Sequence, residues 1–268
     1  MAAPYLTGNV TYVQLAGVVD VNTILTQLAT TLTGLSPAWT ANGGNSYTSP
    51  IDSSGRQFTI VFSRISATNL QFQVTDGSGR SLTRRAQIAA GGSAVNIYAG
   101  QYHLVLDWLN GATPEGIYAI MLDESPELQT SHNMWLIANS SRTSADANDS
   151  SWAFGTYWGI RSGGVFASSS AFAFLQPVYN NLSNNASSGT LGRTIGGSNL
   201  WCPLIALGDT SANIFNIFGR LYACLNARLQ YSPVGAEISV PIDQSNSAIF
   251  RTLNMTGHVG DLFAVRKT

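Results

Sequence analysis

A chain of 268 residues with 44% apolar content can bury one large core or two small ones, but only 10% of it is charged, against about 25% in an ordinary soluble domain. The formal net charge of −1 excludes a global field that would draw the chain to nucleic acid or to an acidic surface. No run approaches the roughly 18 apolar residues of a membrane-crossing helix, so neither sequence-specific nucleic acid nor a membrane is expected as a partner. The polar part is Ser, Thr, Asn, Gln and 26 Gly, which suits strands and turns better than helices. A charge-poor surface is weakly protected against association, and its basic residues are twelve Arg and one Lys (Lys267). Arg is enriched at interfaces where Lys is depleted, although codon usage would give the same ratio.

The start, "MAAPYLTGNV", lacks the basic and apolar regions of a signal peptide. An apolar-tinged arm (Tyr5, Val10, Tyr12, Leu15) leads into "DVNTILTQLATTLTGL", where Ile24, Leu25, Leu28 and Leu32 recur at helical spacing. Asp20 is the expected N-cap and Gly34 the expected C′ residue of this short amphipathic helix. Such a helix is unstable alone and must dock, on its own subunit or on a neighbour. We assign residues 1–38 to an N-terminal arm and helix.

From about Trp39 the period changes to two. Phe58, Ile60 and Phe62 alternate with Thr59, Val61 and Ser63, and Leu70, Phe72 and Val74 repeat the pattern before the turn signal Asp76-Gly77. "AVNIYAG", "YAGQYHLVLDWLNG" and "GIYAIML" follow. Short strands at intervals of about ten residues predict an antiparallel β-sandwich or small barrel over 39–126. An acidic, Ser/Asn-rich stretch (Asp123, Glu124, Glu127) then marks a boundary near residue 126. A second β-rich domain with long Gly/Ser/Asn loops is expected over 127–268. Within it, "NIFNIFGRLYACLNARL" is read as strands, "VGAEISVPIDQSNSAIFRTLN" as a hairpin and "GDLFAVRKT" as a terminal strand. The fold class is therefore mainly β: two antiparallel sandwich- or barrel-like domains with an arm and one helix.

Chemistry is harder to find. The chain has no GxSxG, Walker-type loop, HExxH or GxGxxG, and its Asp76–Arg80 "DGSGR" segment is a turn with no helix behind it to cradle phosphate. Cys202 and Cys224 have no metal-type spacing; two thiols are the default, and a disulfide stays open. The basic residues between Arg56 and Arg85 lack interleaved aromatics and read as polar strand faces and turns. His132 sits beside the acidic patch, a weak candidate for pH sensing.

His103 and Asp107 share one face of a strand, opposite Tyr102, Leu104, Leu106 and Trp108. Their Cα atoms would lie about 13 Å apart, too far for one ion. They are expected to face solvent or the next subunit, with Tyr102, Leu104, Leu106 and Trp108 packed inward. Trp152, Phe154, Tyr157 and Trp158 form the densest aromatic cluster; core packing is its ordinary use, and stacking on a host-surface glycan is the alternative. No catalytic, cofactor-binding or metal residue is assigned, and no enzymatic activity is expected.

The run "WTANGGNSYTSPIDSSGRQFTIVFSRISATNLQFQVTDGSGRSL", with "IYAGQYHLVLDW" and "IYAIMLDESPE" after it, resembles the central part of structural proteins of tailed bacteriophages. "YSPVGAEISVPIDQSNSAIFRTLN" and "LFAVRK" resemble the terminal strands of such proteins. The resemblance covers about residues 35–145 and 220–268 and carries no catalytic residues. It implies a virion component assembled in the host cytoplasm. Such a component would be a homo-oligomeric, cyclic ring subunit of the neck, tail or baseplate, in contact with other virion proteins. The arm and helix would then lock onto neighbours, and a glycan-binding tail module is the alternative.

Overall fold

A computed structural model describes residues 6, 8–17, 20–52, 55–76, 81–88, 94–110, 113–124, 134–139, 156–161, 164–166, 174–175, 203–208, 216–226, 235–254 and 262–268. The elements begin with β1 (Val10–Leu15), α1 (Val21–Thr33), β2 (Thr40–Gly43), β3 (Ser46–Thr48), β4 (Phe58–Arg64), β5 (Asn69–Asp76), β6 (Ser81–Gln87), β7 (Val95–Gly100), β8 (His103–Asn110) and β9 (Thr113–Glu124). They continue with β10 (Met134–Asn139), β11 (Thr156–Arg161), β12 (Gly164–Phe166), β13 (Phe174–Leu175), β14 (Pro203–Gly208), β15 (Asn216–Asn226), β16 (Glu237–Pro241), β17 (Ser247–Asn254) and β18 (Leu262–Arg266). The chain is mainly β, and every strand pairing among the described residues is antiparallel.

The helix forms where the spacing places it. Asp20 accepts a hydrogen bond from the Thr23 N–H at 3.0 Å, and Val21, Ile24, Leu25, Leu28 and Leu32 are buried. Gly34 ends the helix for a different reason from the one expected. Its φ is −86°, an ordinary right-handed value, but a Cβ there would stand 2.9 Å from the Thr30 carbonyl oxygen. Glycine is required by close approach, not by a left-handed turn.

Strands β2 to β6 form a five-stranded meander. At its first corner Gly44 and Asn45 take φ of +57° and +58°, the double left-handed pair that a tight hairpin needs. Phe58, Ile60, Phe62, Leu70, Phe72 and Val74 point inward and are 0–1% exposed, as their alternation predicts. The larger sheet runs β1-β7-β8-β9-β15-β18-β17-β16, with β10 to β14 branching from β9 and β15. Its β7 to β9 residues Val95, Ile97, Ala99, Leu104, Leu106, Trp108, Ile117, Ala119 and Met121 meet the meander and the helix in one core. Burying these side chains stabilises the fold by about 1.5–3 kcal/mol per large residue. The spans on either side of residue 126 share this sheet, because β15 pairs with β9 through Leu221↔Leu122.

One expectation is resolved and another needs correction. Of the two docking places open to the helix, its own subunit is the one it takes, and the described part of the arm pairs there too, residues 1–5 lying outside the described residues. The helix buries its stripe in the core of its own chain, and β1 is an edge strand paired with β7 from Val10↔Gly100 to Leu15↔Val95. The opposite face of β7 and β8 is not open either, because all six residues of β7 are buried. The large sheet curls so that its far end returns to its near end. Arg266 Nη1 donates to the carbonyls of Leu6 (2.8 Å) and Gly8 (2.9 Å), Lys267 Nζ sits 4.5 Å above the Tyr12 ring, and Leu6 packs on Ile238, Val240, Ala248, Phe250 and Ala264. Strands buried on both faces need apolar residues on both, and β7 and β8 largely have them.

Candidate functional site

The covered face of β7 and β8 holds polar side chains where the curled sheet closes. Register places Tyr12 beside Tyr98, Tyr98 beside Val105, Gln14 beside Asn96 and Asn96 beside Asp107. Asn96 is the hub. Its Oδ1 accepts from the Tyr12 hydroxyl at 2.8 Å and from Gln14 Nε2 at 3.1 Å, and its Nδ2 donates to Asp107 Oδ2 at 3.2 Å. A side-chain amide in an otherwise apolar strand is stable here because donor and acceptor sides are both used.

Beyond this network, satisfaction fails. Asp107 Oδ1, the Tyr98 hydroxyl, Arg251 Nε and His103 Nε2 are buried and make no hydrogen bond. Burial drives the Asp107 carboxyl up to about 6 from its ordinary 3.8, although Arg251 and the Asn96 amide pull the other way. Tyr98, wholly buried, lies near enough to feel the Asp107 charge but without hydrogen-bond geometry. Its phenol is raised, first by burial and then by that charge. His103, 3% exposed, is pushed down to about 3 by burial, with the Arg266 guanidinium adding to the effect.

Leu104, Leu106 and Trp108 do pack inward, and Tyr102 packs partly buried against the same core. His103 and Asp107 share a face as expected, but the face is internal rather than turned to solvent or another subunit. The structure does not bring the two together. His103 lies against Gly100 and near Arg266, Asp107 against Asn96, Tyr98 and Arg251. Among the described residues, no group of three or more His, Cys, Asp or Glu side chains is placed to hold a metal ion. Nor is any helix among them long and apolar enough to cross a membrane. The arrangement therefore offers one carboxyl that exchanges its proton near pH 6 and one imidazole held neutral.

Sequence reasoning missed Asn96, Tyr98, Arg251 and Arg266. The first two carry a local signal, since polar groups interrupt an apolar run in "AVNIYAG". The arginines carry none, because only the curl of the sheet places them. His132, Cys202, Trp152 and Phe154 lie outside the described residues, as do the side chains of Tyr157, Trp158 and Cys224.

A second polar feature lies in the loop between β3 and β4. Asp52 Oδ1 accepts from the Arg56 backbone N–H at 2.8 Å, and Oδ2 accepts from Arg56 Nε at 2.6 Å with Nη2 alongside. Both residues are under 10% exposed, so this pair fixes the loop rather than decorating it. Comparison with known family models and with curated proteins gives no match to this chain.

Proposed function

We propose that this chain is a structural subunit of a tailed-bacteriophage particle, forming part of a homo-oligomeric ring in the neck, tail or baseplate. The observation that carries the reading is the outer face of the meander. Register sets Thr48 beside Thr59 and Thr59 beside Thr75, Ser46 beside Val61 and Val61 beside Gln73, and Ser63 beside Gln71. These positions are partly buried, and none is ionisable. A face mostly of hydroxyls and amides, with Arg85 beside Gln71 as the one ionisable position that register adds from β6, meets a copy of itself or another subunit with little like-charge repulsion. Two sheets sharing one core supply the rigid body, and the sequence resemblance supplies the particle. Because β1 and the helix pack within the chain, contact between subunits falls to sheet faces and edges. Closed symmetry would bury these faces. Light scattering on the full chain, with mass spectrometry of purified virions, tests the reading. Expected are a defined multimer and presence in the particle; a monodisperse monomer absent from virions overturns it.

A further inference from the structure

We propose that the closure between β7–β8 and the C-terminal strands is compensated against pH: opening it transfers one proton, in net terms, from the Asp107 carboxyl to the His103 imidazole. The inference concerns the single subunit and does not depend on the ring.

The geometry is a pair of ionisable groups on one face of β8, His103 buried and Asp107 partly so with its Oδ1 enclosed, each with an orphaned atom, and each close enough to feel the charge of an arginine from the returning strands. Around Asp107 stand Asn96 and Tyr98 from β7, Tyr12 and Gln14 from β1 through Asn96, Gly116 from β9 and Arg251 from β17. Arg251 is itself paired in register with Glu237, which Lys267 Nζ bonds at 2.6 Å. Around His103 stand Gly100 from β7, the Asn9 carbonyl beside it, Ile120 from β9 and Arg266 from β18.

Enclosure disfavours charge on both groups, but their charged forms lie on opposite sides of protonation. When the seam is closed, between about pH 4 and 6, Asp107 holds its proton and His103 has none. When the seam opens and water enters, the carboxyl returns toward its ordinary range and releases the proton, while the imidazole takes one up. One proton leaves and one binds, so the closed and open forms carry the same number. By linkage the opening equilibrium then has no slope in pH. Either group alone would impose one. Asp107 by itself stabilises closure below pH 4 and loses that contribution as pH rises through 6. His103 by itself stabilises closure above its ordinary range and loses that contribution as pH falls toward 3. The two slopes have opposite sign and overlap.

Hydrogen exchange on the full chain, followed by mass spectrometry of peptides from β7, β8 and β17 and corrected for intrinsic rates, reads the opening constant. Expected for the unmodified chain is a change under about fivefold between pH 6 and 4. In Asp107→Asn, which keeps an oxygen for Asn96, opening should rise toward tenfold per pH unit as pH falls. In His103→Gln it should rise by a similar factor per unit as pH rises. A steep slope in the unmodified chain, or flat profiles in both variants, overturns the proposal. Should either variant fail to fold, histidine ring resonances in the unmodified chain decide. A His103 neutral down to pH 4 supports the compensation, and one titrating near 6.5 overturns it.

Discussion

The indole N–H of Trp39 donates to the carbonyl oxygen of Gly100 at 2.9 Å, across 61 positions of sequence. Trp39 follows the helix and stands edge-on to Phe58 of the meander, ring centroids 5.1 Å apart, while Gly100 ends β7 in the larger sheet. One side chain thus joins the helix, the meander and the curled sheet. Trp39→Phe keeps most of the packing and removes the donor, so the buried Gly100 carbonyl loses this hydrogen bond. Denaturant unfolding should show a loss of about 1–3 kcal/mol at unchanged slope.

Gly100 is also the position where no side chain fits. A Cβ there would lie 2.3 Å from His103 Cε1 and 3.2 Å from the Asn9 carbonyl oxygen. The imidazole is enclosed and cannot swing aside freely. Gly100→Ala should therefore cost about 1–3 kcal/mol by overpacking. A Gly100→Ala, His103→Ala double variant should lose less than the two single losses added together, because the clash is gone. Additive losses would show that the backbone, not the ring, resists the methyl.

Two tyrosines whose rings lie 5.1 Å apart, Tyr12 and Tyr98, predict opposite outcomes for the same change. The Tyr12 hydroxyl donates to Asn96, whereas that of Tyr98 is buried without a hydrogen bond. Tyr12→Phe should destabilise by about 1 kcal/mol. Tyr98→Phe removes an unsatisfied group and should be neutral or stabilising. Thermal melts of both variants side by side check this.

The Asp52–Arg56 pair and the Glu237–Lys267 pair have similar short contacts, 2.6 Å each between nitrogen and oxygen, but differ in burial. Glu237 is half exposed. Asp52→Ala leaves a buried guanidinium behind and should cost about 3–5 kcal/mol with little response to salt. Glu237→Ala should cost under about 1 kcal/mol, and added salt should shrink that difference further.

How much of this was legible depended on how near in sequence each cause lay. The stripe Ile24, Leu25, Leu28 and Leu32 and the alternation at Phe58, Ile60 and Phe62 are local patterns, and they gave the helix and the meander without further information. Val10 to Leu15 read only as an arm, since nothing local says that its partner is β7. The alternation in β8 predicted its inward face correctly. Its other face was misread because Asp107 and His103 look like solvent-facing groups until strands some 150 positions onward fold over them. A period of two says that faces differ; it does not say what covers the second one.

The bonds from Arg266 to Leu6 and Gly8 also imply an order of assembly. Tyr12 waits 84 positions for Asn96, and Leu6 waits 260 for Arg266. The meander can meanwhile form from neighbours in sequence. Closing so long a segment loses chain entropy that only completed contacts repay. Strand β1 is thus fastened in two steps: to β7 once the chain reaches Gly100, and through Leu6 and Gly8 to the C-terminal strand only when Arg266 is in place.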